Sequence, residues 1–564
     1  MRSLRRTRSA LLIAAVALTG LLAVPGEAAD APAGADYSET YIATPDGESL
    51  HAEVMRPKGV KGKTPVILVV SPYLHRAPTD KTSAKGPTPR FFDFIEGARV
   101  FARGYAVVQV SLRGSGGSSG CLDILGPGEQ TDVVTAVQWA ATQPWSTGKV
   151  GMYGKSYDAN TGMVGAALRP KGLAAVVAQQ VVPDRYRGSY NDRVRFLQSL
   201  AYPAVSYGSA AELGWSVQED PEYIVNSSAH SADCQVGLVE HYGDDVNSAF
   251  WKARDFVAKA KGSKVPTFMT VGYVDSNTNV GGGAVDYFNA LAGPKRLWIG
   301  WWDHVRGNDM VADELAMGRD RFFDEVMRFY DLHLRGIAPK VKDPVVVAQT
   351  STGTWTSEKT WPPSDAKVLT GSLKAGSYVD DGTNVGSQDS AAGPGGSGAL
   401  GEEQTGAGAW TFSAPLTRTA RLAGVPSASL KLAPLVPRTN VAINVYDVAP
   451  DGSATMVTRG AALVDAAGEK AIRLFPTDWT FAKGHRVGVL VSGANAEAYV
   501  HVPTQTPVDV EGGTVRLPWL SSASRTRAQG TDNPRLREYL DAAPFTVAAS
   551  VIAAGTDPAF PLPR

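Results

Sequence analysis

Uninterrupted apolar runs alternate with stretches of helical periodicity from about Pro65 to Leu334. Pro65–Val70, Ala106–Leu112, Val150–Tyr153, Leu173–Val182, Val265–Tyr273 and Lys295–Trp301 read as buried strands. A strand covered on both faces is apolar throughout rather than alternating. Between and after them, Phe91–Arg103, Glu129–Gln143, Tyr157–Leu168, Ala284–Leu291 and Arg321–Leu334 have helical spacing, the first stopping at Gly104 and the last at Gly336. This order predicts right-handed βαβ units and an α/β fold, a parallel sheet covered by helices on both faces. Ahead of it, Tyr37–Met55 alternates polar and apolar residues about Pro45-Asp46-Gly47, the pattern of a hairpin.

The rhythm breaks twice. The stretch from Asp184 to about Lys264 is rich in Tyr, Trp, Asn and acidic residues, with helical patches at Asn191–Leu200 and Ser248–Ala260. An insertion at this point predicts a helical cap over the sheet. From about Val345, Gly- and Ser-rich connections such as Gly382–Gly401 separate short alternating strands at Ser427–Leu432, Thr439–Val448, Ala454–Ala462, Lys470–Leu474 and His485–Ser492. That is the texture of a β-sandwich, with a helix signal at Pro534–Asp541. The expected organisation is a core over residues 35–183 and 265–340, a cap over 184–264 and a sandwich over 345–564.

The first 28 residues read as a signal peptide. Met1–Arg8 carries four arginines, Ala10–Val24 is apolar, and Gly26-Glu27-Ala28 places small residues at −3 and −1 of a cleavage site. The mature chain is therefore expected to be secreted, with no later stretch long and apolar enough to span a membrane. In an exported protein Cys121 and Cys234 form either a disulfide, which is the favoured reading, or two separate buried thiols. Lys+Arg and Asp+Glu each total 55, so no net field favours nucleic acid or an anionic membrane.

Candidate chemistry centres on Lys149-Val-Gly-Met-Tyr-Gly-Lys-Ser-Tyr-Asp-Ala-Asn160. Ser156 lies between a short strand and a helix, where a strained turn lifts a hydroxyl out of the sheet toward the first N–H groups of the helix. The G-x-S-x-G pattern of such elbows would need glycine at 158, where this chain has Asp158. An α/β-hydrolase places its acid and then its base after the nucleophile, each beyond a later strand. Of eight histidines, His51 and His75 precede Ser156, His230 and His241 fall in the cap, His333 is mid-helix, and His485 and His501 are in the sandwich. That leaves His304, just after the last sheet strand, and the same test on carboxylates selects Asp275, with the adjacent Asp303 as rival. His304 would take the Ser156 proton and return it to the leaving group, while Asp275 fixes the imidazole tautomer. The oxyanion donors would be the Tyr157 backbone N–H and the Tyr73 hydroxyl, the latter being otherwise a core tyrosine with a polar tip.

Ser71-Pro-Tyr73, Arg113-Gly-Ser-Gly-Gly-Ser-Ser-Gly120, Gln143–Tyr157, Gly272-Tyr-Val-Asp275 and Trp302-Asp-His304, with Tyr446–Gly452 and Lys483–Arg486 in the sandwich, together resemble one family. It comprises X-Pro dipeptidyl-peptidases, cocaine esterase and α-amino-acid ester hydrolases. The resemblance implies a hydrolase core, a helical cap, a C-terminal jelly roll, a Ser–Asp–His triad, and a tyrosine hydroxyl sharing the oxyanion hole. It implies no metal and no cofactor, and as partner a peptide or small acyl substrate. Within the family Gly154-Lys-Ser-Tyr157 points to an X-Pro dipeptidyl-peptidase, with Asp158 and Asp184 as candidates for binding a substrate amine; Asp158 is equally placed to cap its helix. The alternative is an esterase or amino-acid ester hydrolase on the same triad. A binding protein with an inactive triad is the reading from a different class.

Overall fold

The computed structural model describes residues 31–563 apart from 75–85, 201–219, 229–233, 235–238, 382–407, 434–437, 494, 496–497, 521–524 and 543–544. The leader, most of the cap's middle and the Gly-rich stretch after residue 381 lie outside the described residues. So do His75 and His230.

The N-terminal hairpin pairs β1 (Ala35–Ala43) with β2 (Ser49–Pro57). Next come β3 (Thr64–Ser71), α1 (Phe92–Gly97), β4 (Ala106–Ser111), α2 (Pro127–Thr142), β5 (Ser146–Lys155), α3 (Tyr157–Leu168) and β6 (Leu173–Gln179). Every residue of β3 and β4 is buried, which is why both read as continuous apolar runs. After α4 (Arg185–Ser189) a tight hairpin joins β7 (Tyr190–Asn191) to β8 (Val194–Arg195). The core resumes with β9 (Thr267–Gly272) and β10 (Lys295–Gly300), and β11 (Met310–Val311) and β12 (Glu314–Leu315) form a small hairpin.

The ten-stranded sheet has the order β1-β2-β4-β3-β5-β6-β9-β10-β13-β14, adding β13 (Val346–Gln349) and β14 (Trp355–Glu358). It is parallel from β4 through β13. Residues 346–358, which their texture assigned to the C-terminal domain, therefore extend the core sheet. Beyond them two sheets of seven and six strands form the sandwich, carrying the helix Pro534–Asp541. On one face of the core sheet the helix Phe322–Arg335 buries Phe322, Val326, Met327, Phe329, Tyr330 and Leu334, and ends at Gly336 with φ 70°.

The cap differs locally from expectation. Asn191 and Val194–Arg195 are strand rather than helix, because Asp192 and Arg193 both take positive φ and turn the chain back on itself. The sandwich holds this hairpin: Leu463 N–H donates to Asp192 O, and Ala461 N–H to Asn191 Oδ1. Ser248–Ala260 contains two short helices, Ala249–Lys252 and Phe256–Lys259, capped by Ser248 and Asp255. Cys121, after β4, is bridged to Cys234 of the cap. No helix among the described residues is long and apolar enough to cross a membrane.

Candidate active site

The carboxyl end of the parallel sheet is where three of the predicted side chains emerge. Ser156 follows β5 with φ 64° and ψ −123°, immediately before α3. A non-glycine residue seldom adopts such a φ, so the turn is strained and presents the hydroxyl apart from both elements. Strand and helix approach closely there: a Cβ on Gly154 would lie 2.3 Å from the carbonyl carbon of Asp158. The buried Ala159 meets the same need for a small residue that the missing glycine raised.

Asp275 and His304 follow β9 and β10, and they meet. His304 Nδ1 lies 2.8 Å from Asp275 Oδ2. The carboxylate also accepts the Asn277 N–H at 2.9 Å, the Thr278 N–H at 3.0 Å and the Thr278 hydroxyl at 2.6 Å. Burial pushes the Asp275 pKa up, but His304 and Thr278 outweigh it and hold it below the ordinary carboxylate value. An ionised carboxylate only accepts, so Nδ1 carries the hydrogen and Nε2 keeps a free lone pair. Burial lowers the His304 pKa, Lys155 and Arg90 lower it further, and Asp275 opposes them. Asp303, the rival acid, turns instead to Arg535 at 3.3 Å.

Lys155 ends β5, immediately before Ser156. Burial draws its pKa down to about 8, against the attraction of Asp275. Among the described residues no hydrogen bond joins Ser156 Oγ to His304 Nε2. Such contacts often tighten only when substrate binds.

Two glutamines tie the three loops together. Ser156 N–H donates to Gln179 O at 2.9 Å, and Gly307 N–H, just past His304, donates to Gln179 Oε1 at 2.8 Å. Gln180 accepts the Gly272 N–H at 3.0 Å and donates through Nε2 to Val305 O at 3.1 Å. Both side chains are buried, and Gln180 takes a φ of 55° to reach both loops. Nothing in their local sequence distinguishes them from any polar residues at a strand end.

Tyr73 lies just beyond β3, and its ring meets the Tyr157 ring edge-on at 6.3 Å. The Tyr157 phenol donates to Glu129 at 2.7 Å, a carboxylate that also accepts the N–H groups of Asp123 and Leu125. Burial and Asp123 push Glu129 up to about 8. This anchorage fixes the Tyr157 side chain within the core, while its backbone N–H, at the helix start, has no intrahelical acceptor.

The two carboxylates expected to meet a substrate amine are already engaged. The Asp158 side chain is fully buried and accepts from Arg90 Nε at 2.9 Å and from Arg90 Nη2. Asp184 caps α4 through the Arg187 N–H at 3.0 Å and ion-pairs with the Arg187 side chain. Among other acids of the cap, Asp192 pairs with Lys470 and Asp244 with Arg193, and Asp220 accepts the Tyr41 hydroxyl. Sequence does not reveal such pairing, because the partners come from distant parts of the chain. A partly open cleft adjoins the loop after β9, lined by Asp275, Asn279, Phe196, Arg459 and Phe475. Ser156 and His304 do not line it.

Comparison with known proteins places both halves of the chain in one family. The family model "X-Pro dipeptidyl-peptidase (S15 family)" matches residues 46–306, and "X-Pro dipeptidyl-peptidase C-terminal non-catalytic domain" matches residues 339–536. A provisionally assigned Xaa-Pro dipeptidyl-peptidase of Streptomyces avermitilis is 24% identical, over 86% of this chain and 82% of its own. Cocaine esterase of a Rhodococcus species is 25% identical, over 82% of this chain and 91% of its own. Among solved structures, an α-amino-acid ester hydrolase superposes with a TM-score of 0.65 at 19% identity, covering 89% of this chain and 99% of its own. A CocE/NonD family hydrolase of Staphylococcus aureus gives 0.64 at 16%, covering 86% and 93%. Matched in both its halves by domains of one enzyme type, the chain belongs to the hydrolase family of X-Pro dipeptidyl-peptidases, cocaine esterase and α-amino-acid ester hydrolases.

Proposed function

We propose that this hydrolase is an exported serine enzyme that cleaves an acyl bond through a covalent intermediate on Ser156. The observation that carries the reading is the Asp275–His304 hydrogen bond at the carboxyl end of the parallel strands, the end from which the strained Ser156 elbow also emerges. Ser156 Oγ attacks the substrate carbonyl carbon while His304 Nε2 takes its proton. The electron pair displaced onto the carbonyl oxygen is met by the Tyr157 N–H and the Tyr73 hydroxyl. Collapse expels the leaving group, which receives the proton from His304, and water then repeats the sequence to release the acid and restore Ser156. The leader over residues 1–28 and the Cys121–Cys234 bridge support export.

For the substrate, the leading reading is an X-Pro-type dipeptidyl-peptidase, supported by both family models and by the Gly154-Lys-Ser-Tyr157 context. One observation favours the alternative of an ester. Asp158 and Asp184 are held by arginines, so neither offers a free carboxylate to a substrate amine. Rates on Ala-Pro and Gly-Pro chromogenic amides, a free-amine amino-acid ester and its N-acetyl counterpart separate the readings. The peptidase reading expects fast amide turnover that is lost on N-acetylation. Turnover of esters alone, indifferent to the acetyl group, rejects it.

A further inference from the structure

We propose that Arg90 and Asp158 are positioning residues for the Tyr73 hydroxyl, joining one oxyanion donor to the helix that carries the other. This rests on the oxyanion role proposed above for Tyr73 and goes beyond it.

The segment that presents Arg90 is fixed before it reaches the site. Thr88 donates its N–H and hydroxyl to the buried Glu53 carboxylate, at 3.0 Å and 2.9 Å. Gln109 Nε2 donates to both Thr88 O and Glu53 Oε2, each at 2.8 Å. Phe91 then adopts φ 61°, setting the direction in which the chain enters α1. Arg90 is thus delivered from a pinned backbone.

Among the described residues its guanidinium meets a carboxylate and two rings. The Asp158 carboxylate holds two of its nitrogens, the Phe91 ring lies 4.7 Å from Cζ, and the Tyr73 ring lies 4.8 Å from it. The Tyr157 ring meets Tyr73 from another side. Below Tyr73 the backbone is held as well, its N–H donating to Ser71 Oγ at 3.0 Å. Tyr73 is therefore fixed by contacts that lead back to the first turn of α3.

The chemistry follows from the stacking. A cation on the face of a phenol draws on the ring's electron density, which strengthens the O–H as a donor to a developing oxyanion. The planar fork also resists rotation of the ring, since Asp158 fixes the guanidinium plane. Asp158, one residue after Tyr157, thus makes the two oxyanion donors parts of one rigid unit. This gives a use for the residue that departs from the G-x-S-x-G pattern.

A double-mutant cycle tests the arrangement with p-nitrophenyl acetate as probe. Arg90→Gln is expected to lower kcat roughly 10-fold, from the size of a desolvated cation–π contact, with KM changed less than about twofold. In a Tyr73→Phe background the same change is expected to cost less than about twofold. Arg90→Lys, which keeps a charge over the ring but not the fork, is expected to restore part of the loss, and it carries the cycle if Arg90→Gln does not fold. Equal losses in the two backgrounds, or an effect on KM alone, overturn the proposal while leaving the oxyanion role of Tyr73 intact. If Tyr73→Phe keeps full kcat while Ser156→Ala is inactive, the Tyr73 assignment fails and this proposal with it.

Discussion

His304 Nδ1 donates to Asp275 Oδ2 at 2.8 Å, between two loops that follow neighbouring parallel strands. The carboxylate is saturated by Asn277 and Thr278, so it cannot swing to another partner without losing hydrogen bonds. That relationship sets the tautomer of the ring and leaves Nε2 as the basic nitrogen. Asp275→Asn keeps the size of the side chain but can favour the wrong tautomer. It is expected to lower kcat by about 10⁴-fold, with a small drop in melting temperature because one oxygen can still accept the Asn277 and Thr278 N–H groups. Steady-state kinetics beside a thermal melt checks both halves of the statement.

The pH dependence follows from the charges around the ring. The proposed base, His304, must be neutral to take the Ser156 proton, and burial, Lys155 and Arg90 hold its pKa below the ordinary value against Asp275. Rates are therefore expected to be full above that lowered pKa and to fall as the pH drops through it. Lys155→Met removes a positive neighbour, makes the imidazolium easier to form, and should move the acid limb of kcat/KM to higher pH. A limb that stays in place or moves lower contradicts this reading of the electrostatics.

Gln180 predicts a change in activity out of proportion to stability. It holds Gly272 at the start of the acid loop and Val305 beside the base. Gln180→Leu leaves those backbone groups unpaired and frees the two loops, which is expected to cost about 1–3 kcal/mol in stability. Loss of alignment within the proposed triad should lower kcat about 100-fold besides. Denaturant titration and kinetics on the same preparation separate the two effects.

The junction of core and sandwich rests on a buried ion pair. Arg421 donates to both oxygens of Asp478 at 2.7 Å and 2.6 Å, and the Asp478 carbonyl accepts the Trp301 indole N–H at 3.0 Å. Removing one partner leaves the other charge buried and uncompensated. Arg421→Ala is accordingly expected to destabilise the protein by about 3–5 kcal/mol, measured by denaturant unfolding.

The bridge between Cys121 and Cys234 closes a long loop from the core into the cap. Chain entropy gives it up to about 4–5 kcal/mol of stabilisation. Replacing both cysteines by serine should lower the melting temperature, and reductant should lower that of the parent chain but not of the variant.

Much of this architecture was readable from residue patterns because its strands are covered on both faces, which leaves apolar runs with sharp ends. Ser156, Asp275 and His304 stand out as candidates since each follows such an end, and the structure brings the last two into hydrogen-bonding contact. The hairpin at Tyr190–Arg195 was not readable: its local spacing suits a helix, and contacts with Ala461 and Leu463, far along the chain, hold it as strand. The same holds for Val346–Gln349 and Trp355–Glu358, whose β texture suits either sheet until pairing with β10 selects one. Asp158 and Asp184 looked available for a substrate because sequence shows a carboxylate but not the arginine that neutralises it. Gln179 and Gln180 carry no signature at all, since their role exists only once three loops converge.

Turnover is proposed to pass through acylation of Ser156. Mass spectrometry of the protein after reaction with a fluorophosphonate measures this most directly. One equivalent of label is expected, mapped to Ser156, absent in Ser156→Ala and slowed by orders of magnitude in His304→Ala. Label on another residue, or hydrolysis that survives Ser156→Ala, contradicts it.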